Sequence, residues 1–150
     1  MFMQVSCAAP PIAIRTCTVA DSPIQVLLVE DNTDAAWSYI FSLTGDGGTR
    51  FHLEWAPNLS EAMTRLAEPG IEVVLLDLGL PEMSGYKSFL AVDAATEGKI
   101  PVVILTSDES RDSRDRTLGY GASAYLIKDT VSPARLRGAL LKAVRNSRSD

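Results

Sequence analysis

Seven residues in mid-chain, Ile71-Glu72-Val73-Val74-Leu75-Leu76-Asp77, set the tightest limit on the fold. The run is short, apolar and rich in β-branched residues, and it stops at a carboxylate. Leu78-Gly79-Leu80-Pro81 turns the chain immediately afterwards. Such a run reads as a strand covered on both faces. A carboxylate at its C-terminal end stands where open parallel α/β sheets hold their ligands.

The same grammar recurs along the chain. Ile24-Gln25-Val26-Leu27-Leu28-Val29 is a second apolar run, and it ends in Glu30-Asp31. Asn32, Thr33 and Asp34 then offer helix caps, and Trp37, Ile40, Phe41 and Thr44 recur at helical spacing, which predicts a first helix. Gly45-Asp46-Gly47-Gly48 breaks it. Phe51, Leu53 and Trp55 alternate with His52 and Glu54, which predicts a strand. Asn58-Leu59-Ser60-Glu61 has capping-box spacing and opens a short helix to about Ala67. Tyr86, Phe89 and Leu90 stripe a third helix, ended by Gly98. Pro101 to Thr106 is a fourth strand and Ala124 to Lys128 a fifth. Ser132-Pro133 supplies a cap and a first-turn proline to a last helix striped by Leu136, Leu140, Leu141 and Val144. Five strands alternating with five helices predict one parallel sheet with helices on both faces.

The bulk properties remove several function classes. With 14 basic against 19 acidic residues the chain carries −5, the wrong sign for binding driven by phosphate neutralisation of nucleic acid. No run of 18 apolar residues exists to span a membrane, and the N-terminus lacks the basic and apolar regions of a secretory signal. Cys7 and Cys17 are read as reduced thiols of a cytoplasmic protein. Residues 1–22 are expected to be a poorly ordered tail, 23–146 the single domain and 147–150 a second tail.

Four strands end in polar groups: Glu30 and Asp31, Asp77, Thr106, and Lys128. In a parallel sheet those ends share one edge. Three carboxylates brought together there cannot all stay ionised without a cation, and their hard oxygens suit Mg²⁺. With that charge offset, Asp77 can act as a carboxylate nucleophile toward phosphorus, while Lys128 and the Thr106 hydroxyl stabilise the transferring group.

These residues carry a family resemblance. Val29-Glu30-Asp31-Asn32, the loop Asp77-Leu78-Gly79-Leu80-Pro81 with Gly85, Leu105-Thr106-Ser107, and Gly121-Ala122-Ser123-Ala124-Tyr125-Leu126-Ile127-Lys128 resemble the motifs of the response regulator receiver domain of two-component signalling, over Ile24 to about Arg145. The resemblance implies a CheY-like, flavodoxin-like (βα)5 sandwich with strand order 2-1-3-4-5. It implies that Asp77 accepts a phosphoryl group from a sensor histidine kinase or a histidine phosphotransfer protein. Mg²⁺ would be held by Asp31, Asp77 and the Gly79 carbonyl, with Glu30 acting mainly through water. Lys128 would pair with the phosphoryl group and Thr106 would move toward it. Tyr125 would swing inward as a switch, and packing alone is an equal reading of that residue. Output would leave through the fourth helix, fifth strand and fifth helix, to a downstream protein or a second copy.

Such a chain is a stand-alone signalling receiver and not an enzyme in the ordinary sense, catalysing only its own phosphorylation and dephosphorylation. The alternative is an interaction module that keeps the fold and works without phosphorylation. An aspartate-nucleophile phosphatase would want a second acid where Gly79 stands. A flavodoxin-like cofactor carrier would want a phosphate loop after the first strand. One departure from the family pattern stands out: Asp129, where many receivers have Pro, follows Lys128. The segment from Ser107 to Thr117 has no large apolar residue and predicts a loosely held helix, supported by Arg111–Asp115 and Asp112–Arg116 pairs. Gly79 and Asp108 flank the expected phosphoryl position and are expected to govern water access to it.

Overall fold

The computed structural model describes residues 23–45, 50–83 and 85–148. The expectations for the tail 1–22, for both cysteines and for Asp46 to Gly48 lie outside the described residues. Strands β1 (Ile24–Val29), β2 (Phe51–Ala56), β3 (Val73–Leu76), β4 (Val102–Thr106) and β5 (Ala124–Ile127) alternate with helices α1 (Thr33–Thr44), α2 (Leu59–Leu66), α3 (Tyr86–Ala95), α4 (Arg111–Gly119) and α5 (Pro133–Arg148). All neighbouring strands run parallel, in the order β2-β1-β3-β4-β5.

The period-2 alternation of each strand sorts the core into two layers. Leu27, Val29, Val74, Leu76, Ile104 and Tyr125 point to the side covered by α2, α3 and part of α4. Val26, Leu28, Val73, Leu75, Val103, Leu105 and Leu126 point to the side covered by α1 and α5. Burial on both sides explains why these strands read as continuous apolar runs.

Local signals start the helices as expected. Asn58 Oδ1 accepts the Glu61 amide at 2.8 Å while its Nδ2 donates to Glu61 Oε2 at 3.0 Å, a reciprocal cap for α2. Asn32 caps α1 through the Ala35 amide at 2.9 Å, and Ser132 caps α5 through the Arg135 amide at 3.1 Å. The loop after β3 closes where the Gly85 amide donates to Leu78 O at 3.0 Å, with Gly85 at φ 63°, ψ −150°, a region that only glycine occupies without strain.

Two elements bury residues that the sequence pattern does not single out. On α1 the inward residues are Ala36 and Leu43, with Tyr39 and Ile40 packed beside them. Trp37 and Phe41 are 52% and 68% exposed and lie against each other, ring centroids 6.4 Å apart. The space between α1 and the sheet is filled by a small residue and a leucine, which leaves the two large rings outside. On β2, His52 and Glu54 are buried rather than solvated. α2 lies over that face and brings Arg65, whose Nε and Nη2 donate to Glu54 Oε1 and Oε2 at 2.8 and 3.1 Å. Arg65 Nη1 also donates to the carbonyls of Glu68 and Pro69, tying the end of α2 to the same point.

Removing one partner of such a buried pair strands the other charge, at a cost of about 3–5 kcal/mol. Urea denaturation of Arg65→Ala is expected to show a loss of that size. The double variant Glu54→Leu with Arg65→Met recovers most of it.

Candidate functional site

The topology makes the cleft. β1 and β3 are neighbours whose following loops diverge, leaving a crevice at the C-terminal edge of the sheet. Ladder-like bonds extend past the strands and fix the acids there: the Glu30 amide donates to Ala56 O at 3.2 Å and the Asp77 amide to Val29 O at 3.0 Å. Trp55 Nε1 donates to the Glu30 carbonyl at 2.8 Å, so the indole at the end of β2 braces the acidic turn. That brace was missed in the sequence reading, where Trp55 counted only as a strand aromatic.

Glu30, Asp31 and Asp77 each present a carboxylate oxygen, all within 4.8 Å of one another. Glu30 is 1% exposed, Asp77 is buried, and Asp31 faces solvent. Lys128 enters from β5, across β4. Its Nζ lies 2.7 Å from Glu30 Oε1 and 3.2 Å from Asp77 Oδ2. Strands stand about 4.8 Å apart, so only a long side chain can bridge that span. The Lys128 amide donates to Thr106 O at 2.8 Å, continuing the β4–β5 pairing one residue beyond the strand. With Asp129 in place of the family's proline, all described peptide bonds are trans and Lys128 still reaches the acids.

The electrostatics follow from this crowding. Burial pushes the Glu30 carboxyl up to about 7, Asp77 pushes it the same way, and Lys128 pulls against both. Burial alone would lower the Lys128 ammonium, but Glu30 and Asp77 outweigh it and the net shift is upward. Glu30 Oε1 has the Lys128 ammonium, which it shares with Asp77, to offset its charge. Three carboxylates whose oxygens reach a common centre, two of them buried and sharing a single ammonium, fit a hard divalent cation. Glu30, Asp31 and Asp77 are the side chains that would hold it.

The remaining expected residues line the same edge or its flank. The Gly79 amide donates to Asp77 Oδ1 at 2.9 Å, and a Cβ on Gly79 would stand 3.4 Å from that oxygen. Buried Thr106 accepts the Asp108 amide on its hydroxyl at 3.2 Å. Asp108 is exposed and held below the ordinary carboxylate range, chiefly by the Ser110 backbone amide. Tyr125 is set apart from the acids, buried in the layer under α4, and its hydroxyl donates to Asp108 O at 2.8 Å. Its other partner is Ser113 Oγ at 2.9 Å, on the first turn of α4. Burial raises the phenol's pKa. Ser113 was not singled out in the sequence, where it is one serine among charges.

α4 matches its expectation of weak attachment. Thr117 is its one buried residue, and Asp112–Arg116 at 3.4 Å is its one ion pair among the described residues, so the expected Arg111–Asp115 pair does not form there. Its far end is held differently: Tyr120 stacks on Tyr86 of α3 with centroids 5.4 Å apart, and Arg116 lies over the Tyr86 ring at 5.3 Å.

A five-stranded parallel sheet in the order 2-1-3-4-5 with five helices, its acids, lysine and buried hydroxyl at one edge, is the CheY-like flavodoxin fold. The family model described as the response regulator receiver domain matches residues 26–141, and the chain belongs to that family. It is 32% identical over 110 residues to the swarming motility regulation protein RssB of Serratia marcescens, covering 73% of this chain and 48% of that protein. It is 31% identical over 113 residues to the cell cycle response regulator CtrA of Brucella ovis, covering 70% of this chain and 44% of that one. The chain thus spans about half the length of the curated relatives it matches. Among solved structures, a CheY-like receiver domain protein from Methanospirillum hungatei superposes with a TM-score of 0.73 at 22% identity, over 85% of this chain and 98% of the other. Among the described residues no helix is long and apolar enough to cross a membrane.

Two measurements probe this geometry. An unfolded Glu30 ionises near 4.5 and the folded one near 7, so between those values the folded state binds the extra proton. In metal-free buffer, stability is therefore full below that window and falls as pH rises through it. The expected loss is on the order of 3 kcal/mol at about 1.4 kcal/mol per pKa unit. Denaturant titrations at pH 5 and pH 8 in chelator measure it, and Glu30→Gln should flatten the difference. Separately, Tyr125→Phe removes hydrogen bonds worth about 1 kcal/mol, which should speed amide exchange across residues 108–114 by about 5-fold.

Proposed function

We propose that this domain accepts a phosphoryl group on Asp77 from a phosphohistidine of a sensor kinase or phosphotransfer protein, and signals by rearranging its α4–β5–α5 face. The observation that carries the reading is the position of Lys128 Nζ, 3.2 Å from Asp77 Oδ2 and 2.7 Å from Glu30 Oε1. An ammonium held at the intended nucleophile is placed for an incoming phosphoryl oxygen.

Each residue then has a task. An Asp77 carboxylate oxygen attacks phosphorus, a new P–O bond forms, the donor's P–N bond breaks, and the departing imidazole leaves with its electron pair. Glu30, Asp31 and Asp77, with the Gly79 carbonyl, are assigned to Mg²⁺. A bound Mg²⁺ supplies charge neutralisation on the phosphoryl oxygens. Lys128 exchanges its contact with Asp77 for one with the phosphoryl group. Thr106 turns its hydroxyl away from the Asp108 amide toward that group. Loss of this contact loosens the loop that Tyr125 and Ser113 hold, and α4 shifts about its Tyr86–Tyr120 end. Gly79, whose amide donates to Asp77 Oδ1, and Asp108, whose amide donates to the Thr106 hydroxyl, are assigned to control of how long the acyl phosphate survives. The chain catalyses no other reaction in this reading, and its output passes to a protein target or a second copy.

Incubation with acetyl phosphate and Mg²⁺, read by intact mass, tests the assignment. Wild type should gain one labile phosphoryl group and Asp77→Asn none, while Lys128→Met or omission of Mg²⁺ should cut the rate by at least about 10-fold. Absence of a gain on wild type would return the domain to the phosphorylation-independent module.

A further inference from the structure

β2 supplies none of the acids, the lysine or the hydroxyl of the site, and it is an edge strand, next to β1. It nevertheless holds the turn that carries two of the three carboxylates. Glu30 is gripped on both sides of its main chain. Its amide donates to Ala56 O at 3.2 Å, and its carbonyl accepts Trp55 Nε1–H at 2.8 Å. The first bond carries the pairing of β1 with β2 one residue further. The second is of another kind. After Ala56 the chain turns at Pro57 and Asn58 into α2, and an indole from the strand reaches the carbonyl that the ladder leaves behind.

The Glu30 carbonyl and the Asp31 amide belong to one rigid peptide unit. That unit joins a carboxylate that is 1% exposed to one that faces solvent. Its tilt sets where the Asp31 carboxylate stands relative to Glu30 and Asp77. Lys128 ties down Glu30 and Asp77, whereas Asp31 enters no salt bridge among the described residues. Beyond Asp31 the chain is fixed again, where Asn32 caps α1. The indole hydrogen bond is therefore the restraint on the upstream side of Asp31. Trp55 is half-buried and packs against the core layer under α1 and α5. A phenylalanine would fill that layer too, but would leave the carbonyl without its donor. The preceding residue, Glu54, is locked to Arg65 of α2, so the indole works from a fixed base.

We propose that Trp55 is a positioning residue for the divalent cation: its indole N–H fixes the peptide between Glu30 and Asp31 and so holds their carboxylates in the relation that one Mg²⁺ requires. The proposal rests on the assignment of Mg²⁺ to Glu30, Asp31 and Asp77. Three carboxylates repel one another, and without a cation that repulsion acts to open the turn. Mg²⁺ demands near-ideal octahedral geometry, so a small displacement of one ligand is costly. Groups that orient metal ligands without touching the metal commonly change affinity by about 10-fold or more. The edge strand thereby sets the strength of a site to which it gives no ligand.

Two measurements that need no phosphorylation test this. Mg²⁺ alone is titrated into the full chain and followed by the amide shifts of Glu30, Asp31 and Gly79. Trp55→Phe should weaken Mg²⁺ binding by about 5-fold or more. Benzothienylalanine at position 55, which keeps the two fused rings and replaces N–H by sulfur, should weaken it equally. Leu53→Ala, two residues back on the same face of β2, lowers stability without touching Glu30. It should leave the affinity within about 2-fold. The second measurement is hydrogen exchange of the indole itself. Metal and brace strengthen each other by the same factor, so saturating Mg²⁺ should slow exchange at Trp55 Nε1–H by about 5-fold. The Nε1–H of exposed Trp37 should not respond. Wild-type affinity in the Trp55 variants, an equal loss in Leu53→Ala, or indole exchange blind to Mg²⁺ would overturn the proposal. So would weakening by phenylalanine but not by benzothienylalanine, which would make ring shape the cause. Wild type that shows no Mg²⁺-dependent shift at Asp31 removes the metal assignment and the proposal with it. Wild-type binding that is weakened in Asp77→Asn and unchanged in Trp55→Phe removes the proposal alone.

Discussion

The structure depends on one neutralisation. Two carboxylates, Glu30 and Asp77, are buried side by side, and the Lys128 ammonium stands against both. Without it the edge of the sheet would carry uncompensated charge in a low-dielectric setting, a cost that the neighbouring apolar strands could not offset locally. The bridge also mechanically links β1, β3 and β5 at the edge where the chain must turn. Glu30 still stays partly frustrated, its carboxyl raised to about 7 because burial and Asp77 outweigh the one ammonium the two acids share. A site of this kind is stable enough to fold and leaves a deficit of positive charge for a ligand to fill.

The second feature is a graded attachment of α4. The helix has one buried residue, a hydroxyl contact to Tyr125 at its start, and an aromatic stack with a cation at its end. Hydrogen bonds of a tyrosine at the edge of the core are each modest, whereas stacked rings bury more apolar area. The start of α4 is therefore the end that yields first, and it is the end joined through Asp108 to Thr106. The Glu54–Arg65 pair does the opposite on the other flank, locking α2 to the edge strand far from the acids.

Much of this was legible in the residues. The strands could be read because burial on both faces leaves a chain no polar option, so Val73 to Leu76 and Val102 to Leu105 appear as unbroken apolar runs. Helix starts could be read at Asn32, Asn58 and Ser132 because capping is decided within four residues. The exposure of Trp37 and Phe41 was not legible, because amphipathic period does not say which of two adjacent stripes meets the sheet. The burial of Glu54 was not legible because its partner lies eleven residues on, in another element. Ser113 and Trp55 gave no signal: a hydroxyl and an indole become informative only when a buried phenol and a strand-end carbonyl are brought to them.

The sequence by itself determined the alternation of strands and helices, the caps, and the presence of a polar group at four strand ends, since each is a property of a few neighbouring residues. Only the tertiary structure decided that Lys128 spans β4 to reach Glu30 and Asp77, that Trp55 braces the acidic turn, and that Arg65 neutralises Glu54. The reason is physical. Local structure is set by contacts a few residues apart, whereas pairing, burial and charge compensation depend on which strands the topology makes neighbours.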